Sequence, residues 1–321
     1  MYARGEGIVL NEPSVIALNT QTGDVLAMGQ EAWRMIGRTP SNIVAVRPLR
    51  KGAITDFDIT QRMIRLVLQR AGVNRFNRPR VVICVPSAIT PVERRAVIEA
   101  ARRAGAAEAQ LLDQPMAAAI GAGLPINEPI ANMVVDIGGG TSETALISLG
   151  GKVALEAVRV GSFDLDSAIA GHIRRAYGIA IGERTAEAIK IAVGSAYPMA
   201  NEKAAEVRGR ELTSGLPRTV VLAAEEVRDW IREPVNTIVD SVLRCLGAAP
   251  PELARDLIGR GIYLVGGGSL LRGLDVRLAE ATLVPVHHVD APLESVVLGA
   301  GHCIESLGVL KGVFATNRPS A

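Results

Sequence analysis

The sequence predicts a folded α/β protein of two domains. Its 321 residues are 48% hydrophobic and 3% aromatic, a composition typical of a large core rich in Ala, Val, Ile and Leu. The segment RVVICVP (80–86) is a continuous apolar run, which predicts a strand buried on both faces, and a helix-start signal follows it. Two glycine-rich turns, in DIGGGT and LVGGGS, each follow an apolar strand. Strands that alternate with helices are typical of the α/β class.

The first part of the chain shows clear local signals. Residues 7–28 alternate and turn at QTGD, which predicts an antiparallel hairpin. Thr90 and Glu93 have the spacing of a capping box, so a helix is expected to start there and to end at Gly105. The segment LLDQPMAAAIGAGLP (111–125) leads from a strand end into a helix of small residues, whose backbone can approach a neighbouring element closely.

The second part continues the same alternation. KVALEAVRVG (152–161) predicts a strand, and the helix after it should end before Gly178. Residues 197–217 are polar and punctuated by glycine and proline, so we expect a small, exposed, loop-rich lobe. A long helix is expected over 224–246, with a kink at Pro234.

Both glycine-rich turns are candidate ligand sites. In NMVVDIGGGTSETALISLGG (132–151), the missing Cβ atoms let backbone amides approach an anion, and phosphate is the expected guest. Asp136 would then face a cation or a water beside that phosphate. GIYLVGGGSLLRGL (261–274) repeats the pattern and opens a helix, as a site for a nucleotide sugar or phosphate does. The alternatives are an ordinary hairpin and a tight strand-to-helix connection; two such turns together favour one ligand shared between domains.

Composition also excludes several classes of function. The formal net charge is +2 with both signs interspersed, so we expect no nucleic acid partner. Cys84, Cys245 and Cys303 lie far apart without a CxxC pair, which predicts reduced thiols in a cytoplasmic protein. His287 and His288 would point to opposite faces of a strand and make a poor metal pair. No apolar run of about 18 residues is present, so no membrane span is expected.

Four phrases, LLDQPMAAAIGAGLP, DIGGGT, IGERTAEAIK and LVGGGSLLRGL, together resemble the actin-like ATPase superfamily. GIVLNEPSVIALN, GRTPSNIVAVRPL, GAITDFDIT and VRGRELTSGLP resemble its MreB/Mbl family more closely, so the likeness runs from Gly5 to about Gly308. It implies an actin-like ATPase fold, in which two ribonuclease-H-like domains with small appended subdomains close on ATP and Mg²⁺. The implied boundaries are 1–131 for an N-terminally truncated first domain with its subdomain at about 19–52, 132–308 for a second domain with its subdomain at about 171–229, and 309–321 for a tail.

The resemblance also implies roles for matching residues. Gln114 and Asp113 lie where the attacking water is held, and Asp136, a third catalytic candidate, lies near the metal ion and its waters. The residues expected to bind ATP are Gly138, Gly139, Gly140 and Thr141 in a phosphate loop, Glu187, Ala188, Ile189 and Lys190 in a nucleoside-side helix, and Gly266, Gly267, Gly268, Ser269 and Leu270 in an adenosine loop. Alternatively, Glu187 and Lys190 form only an exposed pair, three residues apart on a helix.

Two departures from the family pattern bear on ATP hydrolysis. Where the family usually shows Glu-Glu-Pro, this chain has Asp113, Gln114 and Pro115. Glutamine can orient a water but cannot accept its proton, so slow hydrolysis is expected, with Asp113 either assisting or serving only as a polar cap at a strand-to-helix corner. The family's first phosphate loop, Asp-x-Gly-Thr, has no match here, and its expected place lies upstream of Met1. A mis-called start is the favoured hypothesis; a genuine truncation would predict weak or no ATP turnover.

The resemblance implies head-to-tail filaments on the inner membrane face that guide the cell-wall elongation machinery and maintain a rod shape. The loop VNRFNRPR (73–80) places Phe76 between Arg75 and Arg78, which predicts a membrane contact in which one apolar side chain enters lipid and cations meet anionic headgroups. A solvated loop is the alternative. Two other functions are weighed: a nucleotide-independent scaffold of the same family, and a small-molecule kinase or phosphatase, for which no further catalytic carboxylate is found.

Overall fold

The computed structural model describes residues 1–73 and 77–306, without the side chain of Arg50. The first residues to form regular structure are strands, and short strands dominate the first 54 positions. The strands are β1 (Tyr2–Ala3), β2 (Gly7–Ile8), β3 (Ile16–Asn19), β4 (Val25–Met28), β5 (Ile43–Val46), β6 (Leu49–Arg50), β7 (Ala53–Ile54), β8 (Arg80–Val85), β9 (Glu108–Asp113), β10 (Asn132–Ile137), β11 (Ser142–Ser148), β12 (Gly151–Val158), β13 (Ile179–Ala180), β14 (Ala204–Glu211), β15 (Pro217–Ala223), β16 (Ile262–Val265) and β17 (Val286–His288).

Helices separate these strands through most of the chain. They are α1 (Gln30–Met35), α2 (Phe57–Arg70), α3 (Pro91–Ala104), α4 (Gln114–Gly121), α5 (Ser162–Tyr177), α6 (Glu183–Val193), α7 (Ala224–Trp230), α8 (Arg232–Gly247), α9 (Pro251–Arg260), α10 (Leu274–Thr282) and α11 (Ser295–Glu305), with a short 3-10 helix at Gly267–Leu270. Among the residues described, no helix has the length and apolarity needed to cross a bilayer.

The chain divides into two compact units. Unit 1 contains Met1–Pro129, Ile147–Lys152 and the described residues from Glu294 onward, and unit 2 contains Ile130–Leu146 and Val153–Leu293. This division starts the second unit within two residues of the domain boundary expected from the sequence. It differs at the end of the chain, because α11 packs with unit 1 rather than with the second domain.

Unit 2 is built on a five-stranded sheet in the order β12-β11-β10-β16-β17. The central strand β10 is buried along its whole length, which explains its apolar sequence. Strand β16 runs parallel to it, so that Val135 lies opposite Leu264 and Asp136 opposite Val265. Apolar faces of α5, α6 and α8 complete one large core over this sheet. When only the strands of this sheet are numbered along the chain, their order is 3-2-1-4-5, that of the ribonuclease-H-like sheet that the resemblance implied.

Unit 1 contains the parallel pair β8 and β9 and, separately, the antiparallel sheet β4-β3-β5. Its described residues do not form a second five-stranded sheet. Strand β8 is therefore only partly covered, with Val85 alone of its six residues buried, so the prediction of a strand buried on both faces is wrong. The expected capping box at Thr90 and Glu93 is confirmed, and Gly105 ends that helix in a left-handed conformation with φ 123°.

Three expectations for local structure are revised. The hairpin expected over 7–28 begins only at Ile16, and the preceding β2 pairs with β1 instead. The supposed loop-rich lobe at 197–217 is wrong, because residues 204–223 form two antiparallel strands of the sheet β13-β14-β15. The long helix over 224–246 is two helices that meet at Ile231, so Pro234 lies in the first turn of α8, where its missing N–H is tolerated.

Candidate functional site

The two glycine-rich turns of unit 2 lie in direct contact. They follow the neighbouring parallel strands β10 and β16, whose carboxyl ends meet at the same edge of the sheet. Gly266 has φ 80°, and a Cβ atom there would lie 2.4 Å from the carbonyl oxygen of Ile137 and 2.5 Å from Oδ1 of Asp136. Only glycine allows this left-handed backbone to come so close. The structure thus brings together Asp136 and both predicted loops.

The first turn is held from behind by the start of α5. Within the turn, the amide of Gly138 donates to the carbonyl of Thr141 at 2.9 Å. The amides of Ser162 and Phe163 donate to the carbonyls of Gly138 and Gly139 at 3.0 and 2.8 Å. The C=O and N–H of a trans peptide point in opposite directions, so the N–H groups of Gly139 and Gly140 face away from α5.

These two outward amides form an anion-binding arrangement. Gly139, Gly140 and Thr141 are only partly buried. Within the described part of the chain, the amides of Gly139 and Gly140 donate to no protein acceptor. Consecutive backbone N–H groups that face the same space provide a concave partial positive charge, which suits a phosphate oxygen.

Asp136 is a buried carboxyl group beside this turn. Burial raises the pKa of Asp136 from 3.8 to about 6, and no cation in the described part of the chain offsets the effect. A bound cation or a bound, polarised water would favour the charged form and lower that pKa. Asp136 supplies one buried carboxyl group that a Mg²⁺ ion would accept as a ligand, and the described ranges hold no group of three or more His, Cys, Asp or Glu side chains suited to a metal. Phosphate oxygens and waters would complete its coordination.

The second turn uses its own polar groups internally. The hydroxyl of Ser269 is fully buried and donates to the carbonyl of Gly266 at 2.7 Å, so it stabilises the 3-10 turn. Gly268 packs on Ile137, and Gly267 packs on Leu293. Leu270 is 54% exposed and is the one predicted residue of this loop whose side chain reaches solvent. If a nucleoside binds here, it contacts backbone and Leu270 rather than the Ser269 hydroxyl.

The predicted helix contact, Glu187 to Lys190, lies on α6. Ile189 is 4% exposed and packs in the core, whereas Ala188 is exposed and Glu187 is half-buried. The ammonium of Lys190 lies 2.9 Å from Oδ1 of Asp166 on α5, so the exposed pair with Glu187 considered as an alternative is not its interaction. Sequence reasoning missed Asp166. The signal that could have found it is its position on the helix: Asp166 shares the buried face of α5 with the apolar residues Leu165, Ile169 and Ile173.

Unit 1 contains the other two catalytic candidates. Asp113 is 4% exposed, and its Oδ1 accepts a hydrogen bond from Arg94 at 2.9 Å while its Oδ2 pairs with Lys152. Both carboxylate oxygens are therefore engaged in ion pairs that join β9 to α3 and β12. Gln114 begins α4 and is half-buried, and its side-chain amide makes no hydrogen bond to the described protein atoms. Of the two side chains, that of Gln114 is thus the one not already held by another group of the described protein.

The predicted membrane loop is only partly visible. Arg75 and Phe76 lie outside the described residues. Arg78 is exposed and donates to the carbonyl of Ala106 at 3.4 Å. The membrane role of these three residues stays a prediction.

Comparison with known proteins agrees across sequence and structure. A family model described as MreB/Mbl protein matches residues 1–312. The chain is 48% identical to the cell shape-determining protein MreB of Escherichia coli K12 over 318 residues, 97% of this chain and 92% of that protein. It is 45% identical to the cell shape-determining protein Mbl of Bacillus subtilis 168 over 311 residues, 97% of this chain and 93% of that protein.

Solved structures show the same fold. MreB5 of Spiroplasma citri bound to ADP superposes with a TM-score of 0.89 at 34% identity, over 94% of this chain and 92% of that chain. The same protein bound to AMPPNP matches equally well. A MamK double helical filament matches with a TM-score of 0.78 at 20% identity, over 94% of each chain, which supports the fold alone.

Proposed function

We propose a function from one premise, that the chain belongs to the MreB/Mbl family of actin-like cell-shape proteins. The proposed protein binds ATP with Mg²⁺ and assembles into filaments, and nucleotide binding favours the assembled form. These filaments lie on the cytoplasmic face of the inner membrane and organise the cell-wall elongation machinery. The relatives' names support a role in cell shape, and the ADP and AMPPNP complexes of MreB5 support a nucleotide site.

One observation carries the nucleotide proposal. The carbonyls of Gly138 and Gly139 accept hydrogen bonds from the first amides of α5, which leaves the amides of Gly139 and Gly140 facing away from α5, with no acceptor among the described protein atoms. An ordinary hairpin has no second element bound to the carbonyls of its turn, whereas here the start of α5 fixes the direction in which the glycine amides point. Phosphate would accept from these amides, and Mg²⁺ would offset the repulsion between phosphate and the Asp136 carboxylate.

Slow hydrolysis fits the residues of unit 1. Because Arg94 and Lys152 hold both oxygens of Asp113, this carboxylate is unsuited to accept a proton from water. Gln114 would orient the attacking water without acting as a base. The same observation favours a second candidate function, a nucleotide-independent scaffold of the same family, which needs no group that accepts a proton from water.

Sedimentation separates the two candidates. The purified protein is centrifuged with Mg-ATP, with Mg-ADP, with Mg-GTP and without nucleotide, and phosphate release is followed in the same samples. The ATPase proposal predicts more pelleted protein with Mg-ATP than without nucleotide, and measurable phosphate release. Equal pelleting in all four samples, with no phosphate release, would replace this proposal with the scaffold function.

The cellular part of the proposal has its own test. Depletion of the protein from its source cells is expected to turn rods into spheres and to disperse the sites of new wall incorporation, seen with a fluorescent wall precursor. A fluorescent fusion should lie along the membrane. Depleted cells that keep their shape and their pattern of wall synthesis would contradict the assignment.

A further inference from the structure

We propose that the buried ion pair between Asp166 and Lys190 positions the phosphate-binding glycine turn, and that it acts on the turn through the first residues of α5. This inference rests on the proposed nucleotide site. It assigns Asp166 as a positioning residue, which neither the sequence patterns nor the relatives' names indicate.

The pair lies in the interior of unit 2. The side chain of Asp166 is 3% exposed and that of Lys190 is 11% exposed, and the two charged groups are 2.9 Å apart. The Lys190 ammonium also donates to the carbonyl of Ser162 at 3.3 Å. The Lys190 ammonium on α6 thus contacts two points of α5, the carbonyl of its first residue, Ser162, and the carboxylate of Asp166 one turn later.

The first turn of α5 transmits this restraint to the glycines. Ser162 and Phe163 hold the carbonyls of Gly138 and Gly139 through their amides. Gly161 lies so close that a Cβ atom there would be 2.7 Å from both of these carbonyl oxygens. The ring of Phe163 also lies against Gly139, with Cε2 2.6 Å from the position of an added Cβ atom. A shift of the α5 start therefore has to move the turn.

Loss of the Asp166 charge would free Lys190 to turn toward solvent. The Ser162 carbonyl would then lose its ammonium donor, and the first turn of α5 would be held less tightly. The turn amides would be less well aligned with a phosphate, because hydrogen bonds weaken steeply as their angles depart from linearity. The loss of binding affinity should therefore be large for ligands that carry phosphate groups and small for a nucleoside alone.

The test compares ADP with adenosine, both measured by titration calorimetry in the presence of Mg²⁺. Asp166→Asn keeps the shape of the side chain and removes its charge. We expect this variant to lose ADP affinity by about tenfold, as for a weakened hydrogen bond to a charged group, and to lose adenosine affinity by less than about threefold. Asp166→Glu, which keeps the charge, should restore most of the ADP affinity.

Asp256→Asn is the matched control. Asp256 accepts a hydrogen bond from the amide of Ala131 at the opposite, amino end of β10, so this change should leave the affinity ratio of ADP to adenosine as in the wild type. If Asp166→Asn fails to fold because Lys190 is left buried without its partner, the double variant Asp166→Asn, Lys190→Met removes both charges. The same selective loss of ADP affinity is then expected.

The outcomes separate this inference from the proposed function. Wild-type protein that binds neither ADP nor ATP would overturn the nucleotide site and the positioning role with it. Wild-type protein that binds ADP, together with an Asp166→Asn variant that binds it equally well, would overturn the positioning role alone. An equal loss for ADP and adenosine would also overturn it, since general destabilisation or direct nucleoside contact by Lys190 would then explain the result.

Discussion

Three buried aspartates of this protein show how surroundings decide what one residue type does. Asp113 forms ion pairs with Arg94 and Lys152, both of which lie in the segments assigned to unit 1. Asp166 faces Lys190, yet burial still raises its pKa to about 6. Asp136 is buried, and no cation of the described residues contributes to its pKa shift. Only the last carboxyl group is left for an added cation to neutralise.

The Asp136 carboxyl predicts a pH dependence of stability. Because its pKa rises from 3.8 to about 6 on folding, its contribution to stability is present below about pH 4 and is lost as pH rises through 6. The Asn side chain of Asp136→Asn does not titrate. The stability of this variant relative to wild type should therefore increase as pH rises through this range, by about 3 kcal/mol in total for a pKa raised by about two units.

Urea unfolding of the two proteins at pH 4.5 and pH 7.5, with chelator and without nucleotide, measures most of this difference. Added Mg²⁺ with ADP should reverse the order at pH 7.5, because only the carboxylate gains from the cation. A stability difference that is the same at both pH values would show that Asp136 keeps an ordinary pKa in the folded protein.

Among the elements, close packing of helices depends on small residues at defined positions. Helix α4 is rich in alanine and packs on α11 within unit 1. A Cβ atom added at Gly299 would lie 1.8 Å from the carbonyl oxygen of Ala117, and one added at Gly121 would lie 1.8 Å from that of Ser295. The two backbones are therefore in contact, which explains why the sequence carries so few large side chains here.

Gly299→Ala should accordingly destabilise unit 1. The added methyl group meets backbone rather than a movable side chain, so the helices must separate, at a cost of about 1–3 kcal/mol. Gly259→Ala is the control, since Gly259 lies in α9 with nothing within 4 Å of its added Cβ atom. The control should be stabilised by up to about 1 kcal/mol through helix propensity. Thermal unfolding by circular dichroism measures both, and an unchanged or raised melting temperature for Gly299→Ala would contradict the packing.

For the whole molecule, the proposed membrane contact of a single copy is weak, and the proposed filament would add the contacts of many copies together. One aromatic side chain flanked by two arginines would bind a membrane weakly, but a filament would sum many such contacts. The membrane proposal therefore depends on filament formation, and its salt dependence should follow the screening of exposed charges.

Phe76→Ala tests this proposal by co-sedimentation with vesicles of anionic lipid in Mg-ATP. The variant should form filaments as the wild type does but lose most of its vesicle binding, and wild-type binding should fall at high salt. Val92→Ala, which removes an apolar side chain that is 66% exposed on α3 of the same unit, should bind as the wild type does. Undiminished vesicle binding by Phe76→Ala would exclude the loop as the contact.

Local signals in the sequence were sufficient for much of this protein. The strand, turn and strand around Asp136, the capping box at Thr90 and the helix end at Gly178 were all predicted, because each depends on residues close together in the chain. Family phrases spread over the chain also identified the fold. The strands at 204–223 were missed because Gly209 and Pro217 interrupt the alternation, which is visible only in the burial of Val207, Val220 and Leu222.

Only the tertiary structure decided which partners the charged groups take. Asp113 meets Lys152 across 39 positions, Asp166 meets Lys190 from another helix, and the start of α5 binds the glycine turn from behind. Burial and long-range pairing set these interactions, and both arise only when distant segments pack. Residue types at a strand end predict that a phosphate can bind there; the orientation of the amides that would bind it is a property of the packed helix behind them.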